Sequence, residues 1–295
     1  MKVVVAGCGW LGTRIASELR LRGDRVVGVR RGAERARELE PLGVDPLAID
    51  LSRSAAAREL PRDADAVIAC QAAAGRTEED YRRAYLDVTS TLLEYASQRP
   101  LRALVYTGST GVFGQRSGEV VDETTPPEPD SARAEILVRA ERLLLDAGRE
   151  RGLPVRIVRL SGLYGPGRFG VIERVRSGRL ALGPDEESWM NFCHRTDAAR
   201  AAIAVLDRGR DGAVYHGSDA SPVRRRDLVR WVAARLGIEP HRVPEGVGPG
   251  DRGGRGRNRS ISSERTRREL DIELRYPSFR EGLTAALAPP GSRSG

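Results

Sequence analysis

Gly7-Cys8-Gly9-Trp10-Leu11-Gly12 is a G-x-G-x-x-G run between an apolar stretch, Lys2–Ala6, and a helix-patterned one, Leu11–Arg22. In that context the spacing suits a dinucleotide diphosphate. Gly7 permits the tight turn, Gly9 lets the backbone approach the pyrophosphate, and Gly12 lets helix and strand pack closely. The amides at the start of the following helix then face the phosphates with a partial positive charge. Cys8, Trp10 and Leu11 fill the rest of the loop and share the expected cofactor contact.

The end of the second strand selects between cofactors. An acid there holds the ribose 2′-hydroxyl of NAD, whereas arginine accommodates the 2′-phosphate of NADP. Arg30 and Arg31 stand at that place, and no acid follows before Glu34. A guanidinium fork binds phosphate by two points and a carboxylate repels it, so NADP is the expected cofactor and NAD the alternative. Asp50 and Leu51, after the third strand, are placed to flank the adenine. Ala72 and Ala73, after the fourth, offer small side chains where ribose or nicotinamide comes close.

The elements that must position these residues alternate between strand and helix, the pattern of a parallel sheet covered on both faces. Lys2–Ala6, Arg25–Val29, Leu47–Ile49, Ala66–Ala69, Ala103–Tyr106 and Val155–Leu160 read as strands. Leu11–Arg22 shows helical spacing at Leu11, Ile15 and Leu19. Further helices are expected at Ala33–Glu40, Glu78–Gln98, Ser131–Ala147, Thr196–Leu206 and Arg226–Leu236, with Pro100 ending the second of these. The predicted class is α/β, a Rossmann-type doubly wound parallel sheet with a smaller C-terminal substrate-binding region. Residues 1–168 form the nucleotide-binding domain, 169–287 the substrate-binding region interleaved with the sheet, and 288–295 a disordered tail.

Composition narrows the chemistry. The chain has 295 residues, enough for a core that needs no metal or disulfide staple. Its three cysteines, Cys8, Cys70 and Cys193, are odd in number and read as reduced thiols of a cytoplasmic protein. No segment approaches the length of a spanning helix. The net charge of +8 raises nucleic acid as a partner, but the basic residues are dispersed among acids, so nucleic acid is not expected. The run from Asp251 to Arg259 reads as a solvated loop, with RNA contact or an anionic substrate as the alternative. The histidines His194, His216 and His241 have no metal-ligand spacing, so no metal is expected. Lys2 is the single lysine, which removes Schiff-base chemistry, and a phosphate loop of the GxxxxGK[ST] type is absent.

Tyr106-Thr107-Gly108-Ser109-Thr110-Gly111-Val112-Phe113-Gly114, Leu163-Tyr164-Gly165-Pro166-Gly167-Arg168 and Asn191-Phe192-Cys193-His194-Arg195-Thr196-Asp197 follow in that order. With the glycine loop they resemble the short-chain dehydrogenase/reductase superfamily, in its extended or atypical branch of epimerase/dehydratase-like proteins. The resemblance implies a Ser/Thr turn at Ser109 and Thr110, a loop after the sixth strand at Tyr164, and a late histidine segment at His194. It also implies Tyr-x-x-x-Lys on the helix after the fifth strand, but those positions hold Arg133 and Leu137. Moreover, no tyrosine lies between Tyr106 and Tyr164. Arginine stays protonated and shuttles no proton, so another acid or base must serve. Tyr164 and His194 are the candidates, and Ser109 can polarise a carbonyl oxygen without any pKa shift. The place where nucleotide-sugar enzymes of the family carry an arginine is held by Met190, which points to a more apolar substrate.

The expected function is an NAD(P)-dependent oxidoreductase passing hydride to or from a carbonyl or alcohol carbon of a small molecule. An epimerase or dehydratase on a sugar-like substrate is the alternative within that class. A non-catalytic NADP-binding sensor or scaffold is the alternative outside it. A homodimer through the two long helices is expected by analogy with the resembling family.

Overall fold

The structure, a computed structural model, describes residues 1–53, 55–243 and 256–287. In β1 (Lys2–Ala6), Val3 and Val5 bury into one apolar cluster and Val4 and Ala6 into another. Burial on both faces calls for a helix layer on each side of the strand. The chain supplies them by running α1 (Trp10–Leu21), β2 (Arg25–Arg30), α2 (Ala33–Arg37), β3 (Asp45–Ala48), β4 (Ala66–Ala69), α3 (Glu78–Tyr81), α4 (Val88–Ser97) and β5 (Ala103–Ser109). A short strand, β6 (Glu119–Val121), precedes the long helix α5 (Ala132–Arg151) and β7 (Val155–Leu160). Then come β8 (Gly162–Tyr164), α6 (Gly170–Arg176), β9 (Trp189–Met190), β10 (Phe192–His194), α7 (Arg195–Arg208) and β11 (Val214–Gly217). The described elements end with β12 (Val223–Arg224), α8 (Arg225–Leu236), β13 (Arg259–Ile261), α9 (Glu264–Glu269) and α10 (Phe279–Leu287).

Seven strands form one sheet in the order β11-β7-β5-β4-β1-β2-β3, and every pairing in it is parallel. This is the doubly wound Rossmann architecture expected from the sequence. The chain builds outward from β1 to β3, then returns to place β4 on the other side of β1. The reversal opens a crevice at the carboxyl ends of β1 and β4, where such folds bind ligands. Helices α1 and α7 close one face over Ile15, Leu19, Ala202 and Val205. Helices α4 and α5 close the other over Leu92, Ile136 and Leu144. A third apolar cluster joins β8, β10, α6, α8 and α10 around Tyr164, Val229 and Phe279.

Several elements differ from the sequence expectation. Helix α2 stops at Arg37, and a 3₁₀ turn at Glu40–Leu42 follows, because Pro41 has no amide to continue the ladder. The single helix expected over Glu78–Gln98 is two helices joined by a π-helical segment, Arg82–Asp87. Its start is fixed by a capping box in which Thr77 and Asp80 bond each other's backbone amides. The third strand is Asp45–Ala48 rather than Leu47–Ile49.

Strand β11 lies well beyond residue 168 in the chain, yet it completes the sheet on β7. The tail expected at 288–295 lies outside the described residues, as do residues 251–255 of the arginine–glycine run. Within that run, Arg257 forks onto Asp130, and Arg259 donates to the Thr110 carbonyl at 2.8 Å. No helix among the described residues is long and apolar enough to cross a membrane.

Candidate functional site

A cavity of about 1260 Å³ opens along the carboxyl ends of β1, β2, β4, β5 and β7. Its floor is the glycine loop. Gly7 sits at φ +80°, and a Cβ there would lie 2.7 Å from the Gln71 backbone. At Gly12 a Cβ would come within 2.8 Å of both Cys70 Sγ and the Gly7 carbonyl. Gly9 has no such neighbour nearer than 3.9 Å, so its backbone faces open space. Helix α1 therefore begins at the cavity with no side chain capping its first amides.

Of the expected cofactor contacts, Gly7, Gly9, Trp10, Leu11, Arg30, Arg31, Asp50, Leu51 and Ala72 line this cavity. Cys8 does not. It is buried beneath the loop, where burial pushes its thiol up to about 11, against the opposing pull of Arg30. Gly12 serves packing, and Ala73 is not among the lining residues.

Arg30 differs from expectation in what it already holds. Its Nε donates to the Cys8 carbonyl at 2.6 Å and its Nη2 to Thr13 at 3.0 Å, while its Nη1 reaches Glu38 at 2.6 Å and the Arg35 carbonyl. A guanidinium has five donors, so four are engaged before any ligand arrives. Arg31 and Arg35 line the same end of the cavity and carry no side-chain hydrogen bond or ion pair among the described residues.

Ser109 ends β5 at the cavity wall. Its Oγ accepts from the Gly111 amide at 3.0 Å, which leaves its own proton free to donate. Thr110 is more fully committed: it is buried, its hydroxyl donates to the Leu160 carbonyl at 3.4 Å, and its own carbonyl accepts from Arg259. Behind the turn lies a buried ion pair, Arg159 on Glu141 at 2.8 Å, with Nε of Arg159 bonding both carboxylate oxygens. A Cβ on Gly108 would meet Glu141 Oε1 at 2.9 Å, so that glycine lets the pair brace the Ser109 turn.

Tyr164 and His194, the expected proton donors, do not line the cavity. The Tyr164 hydroxyl donates to the Ser278 carbonyl at 3.3 Å inside the C-terminal cluster, and burial holds the phenol far above its usual range. His194 caps α7: its Nδ1 accepts from the Thr196 amide at 3.2 Å. Its ring stacks 3.7 Å from that of Tyr276. Burial, with Arg14, Arg275 and Arg195 nearby, lowers its pKa to about 4, so it is a neutral structural imidazole. Arg133 and Leu137, the dyad positions, are equally unavailable. Arg133 lies over the Tyr81 ring at 5.7 Å, and Leu137 is buried in an apolar cluster.

The cavity contains polar groups that the sequence reading did not single out. The Gln71 side-chain amide and the Ser161 hydroxyl are buried without a hydrogen-bond partner among the described residues, and both residues line it. Such orphaned atoms fit a polar ligand rather than an empty crevice. Tyr85, from the π segment, also lines the cavity. Burial and the Tyr81 phenol push its pKa up, so Tyr85 holds its proton. Arg168 and Arg195 line the cavity beside Trp10. Both were inside recognised motifs, but nothing local in the sequence signals that they meet at residue 10.

The glycine cradle, the switch-point crevice and the orphaned donors together fit a nicotinamide dinucleotide. The model of the NAD-dependent epimerase/dehydratase family matches residues 3–216 of this sequence. The chain belongs to that family. The membership agrees with the sequence reading of an NAD(P)-dependent oxidoreductase. Among its relatives, protein YeeZ of Escherichia coli K12 is 28% identical over 282 residues, covering 94% of this chain and 96% of its own. A Streptomyces protein named 3-diazoavenalumate denitrifying reductase is 28% identical over 309 residues, covering 96% of this chain and 99% of its own. The solved dTDP-glucose 4,6-dehydratase of Streptomyces venezuelae, with NAD bound, superposes with a TM-score of 0.78 at 24% identity. That superposition covers 97% of this chain and 96% of the dehydratase, and it shows that the two proteins share the fold.

Proposed function

We propose that this family member is an NADP-dependent reductase acting on a carbonyl, or an equivalent polarised double bond, of a small and fairly apolar molecule. The observation that carries the reading is the shared cavity: the glycine loop, two uncommitted arginines and the free Ser109 proton all face one space. Full-length likeness to a reductase supports the reaction type. Arg31 and Arg35 would hold the 2′-phosphate, with Arg30 serving as the strut that fixes the β2–α2 turn. Asp50 and Leu51 would flank the adenine, and Gln71, Ala72 and Ser161 the ribose and nicotinamide.

When bound, NADPH would supply the hydride for the carbonyl carbon, held by the glycine loop with Gln71, Ala72 and Ser161 around its nicotinamide half. Ser109 donates a hydrogen bond to the carbonyl oxygen and draws electron density toward it. Tyr85 gives its phenolic proton to that oxygen as the double bond becomes single, and water restores the proton to Tyr85. An alcohol leaves. The unfavourable phenol pKa makes Tyr85 an acid only while the alkoxide forms, which suits reduction better than alcohol oxidation at neutral pH.

Residues 169–287 would form the substrate side. Three buried free thiols agree with a cytoplasmic location, and α4 and α5 would provide the helix pair of a homodimer. Fluorescence titration with NADPH and NADH tests the cofactor assignment. NADPH is expected to bind more tightly, and Arg31→Glu to reverse that order. Equal binding of both nucleotides by the wild type would refute the preference. Binding without any NADPH oxidation across a carbonyl panel would favour the sensor reading, which the buried Leu137 motivates.

A further inference from the structure

Arg168 and Arg195 place their guanidinium carbons 4.7 and 4.9 Å from the centroid of the Trp10 ring. The indole is itself fixed, because its Nε1 donates to the Pro166 carbonyl at 2.8 Å. Two cations on one indole gain from its π face, but they repel each other. No carboxylate answers them: neither guanidinium has a hydrogen bond or ion pair among the described residues. The Nε of Arg195 is buried with no hydrogen-bond partner among the described residues. A third cation, Arg14, approaches the same place and is paired with Glu18. Burial, then Arg14 and Arg168, lower the pKa of Arg195 accordingly. The contrast with Arg30, whose donors are engaged on four sides, shows what a structural arginine in this chain looks like.

We propose that Arg168 and Arg195 form an anion clamp that holds the dinucleotide's diphosphate against the glycine loop. This rests on the nucleotide assignment above and adds a site from the other half of the chain. Three features single out the diphosphate. Trp10 belongs to the loop whose backbone faces that group, and both arginines line the same cavity as Gly7 and Gly9. Two planar forks match phosphoryl oxygens in pairs. The two negative charges of a diphosphate also equal the two unanswered positive ones.

The test is equilibrium titration of wild type, Arg168→Gln and Arg195→Gln with NADPH, NADH and adenosine 2′-monophosphate. Near-UV circular dichroism checks each fold. The clamp predicts that each variant loses roughly 10- to 100-fold affinity for NADPH and for NADH alike. The monophosphate, lacking a diphosphate, should stay within about threefold on the same scale. Unchanged dinucleotide affinity in both folded variants would overturn the clamp and leave the cofactor assignment standing. A parallel loss for the monophosphate would overturn it too, as a general charge effect. Wild-type protein that binds neither dinucleotide would overturn both readings.

Discussion

The cavity and the C-terminal cluster behind it hold similar polar side chains, and several of these are treated in opposite ways. In the cluster the hydroxyl of Tyr164, Nδ1 of His194 and the carboxylate of Asp197 are bonded to backbone groups. Asp197 takes the amides of Arg275 and Tyr276 and so ties α7 to the C-terminal segment. At the cavity Ser109 keeps a proton to give, while among the described residues Gln71 and Ser161 have no partner and Arg168 and Arg195 no counter-charge. Polar capacity left unspent costs stability and is tolerated where a ligand will use it. The two regions should therefore respond to mutation in opposite currencies, stability on one side and binding on the other.

The largest expected effect falls on a fully committed pair outside the C-terminal cluster, the one behind the Ser109 turn. Glu141→Gln strands Arg159 in the interior and should cost about 3 kcal/mol of unfolding free energy by urea denaturation. A loss below about 1 kcal/mol would mean that water reaches the pair. Next comes pH. His194 has a folded pKa of about 4 against an ordinary 6.5, and His216 is lowered in the same direction by burial. The unfolded state therefore binds more protons between those values, and stability should fall as pH drops from 6.5 toward 4. Asp219, raised by burial to about 8, opposes part of this fall, and stability that rises as pH drops over that window would contradict two buried neutral histidines. His194→Ala removes a helix cap and should cost about 1 kcal/mol while leaving NADPH affinity unchanged.

The smallest effect on stability sharpens the comparison most. Ser161→Ala deletes a buried hydroxyl with no partner, so the unliganded protein should be as stable as wild type or slightly more so. Its NADPH affinity should nevertheless drop by roughly fivefold, the size of one neutral hydrogen bond. Reduced stability with unchanged binding would move Ser161 to the structural side.

The strands and most helices were legible because both rest on local periodicity, as the two-sided burial of Val3 to Ala6 illustrates. The glycine loop was legible because its spacing encodes a backbone geometry. Side-chain roles were less so. Position alone made Arg30 a phosphate ligand, and only the folded chain shows Thr13 and Glu38 occupying its donors. The π segment leaves no mark in the apolar pattern, so nothing in the sequence sets Tyr85 at the cavity, whereas Tyr164 stands in a motif. The meeting of Trp10 with Arg168 and Arg195 spans more than half of the chain, and no spacing rule reaches that far.

Strand β11 carries a consequence for biosynthesis. It hydrogen-bonds to β7, whose other edge is already taken by β5. While the ribosome is still short of residue 217, β7 is an open border of an apolar parallel sheet. A nascent chain in that state offers its unpaired backbone to other chains. Premature termination between α7 and β11 should therefore yield aggregates rather than a working nucleotide-binding half, and a pause in translation there would call for a chaperone.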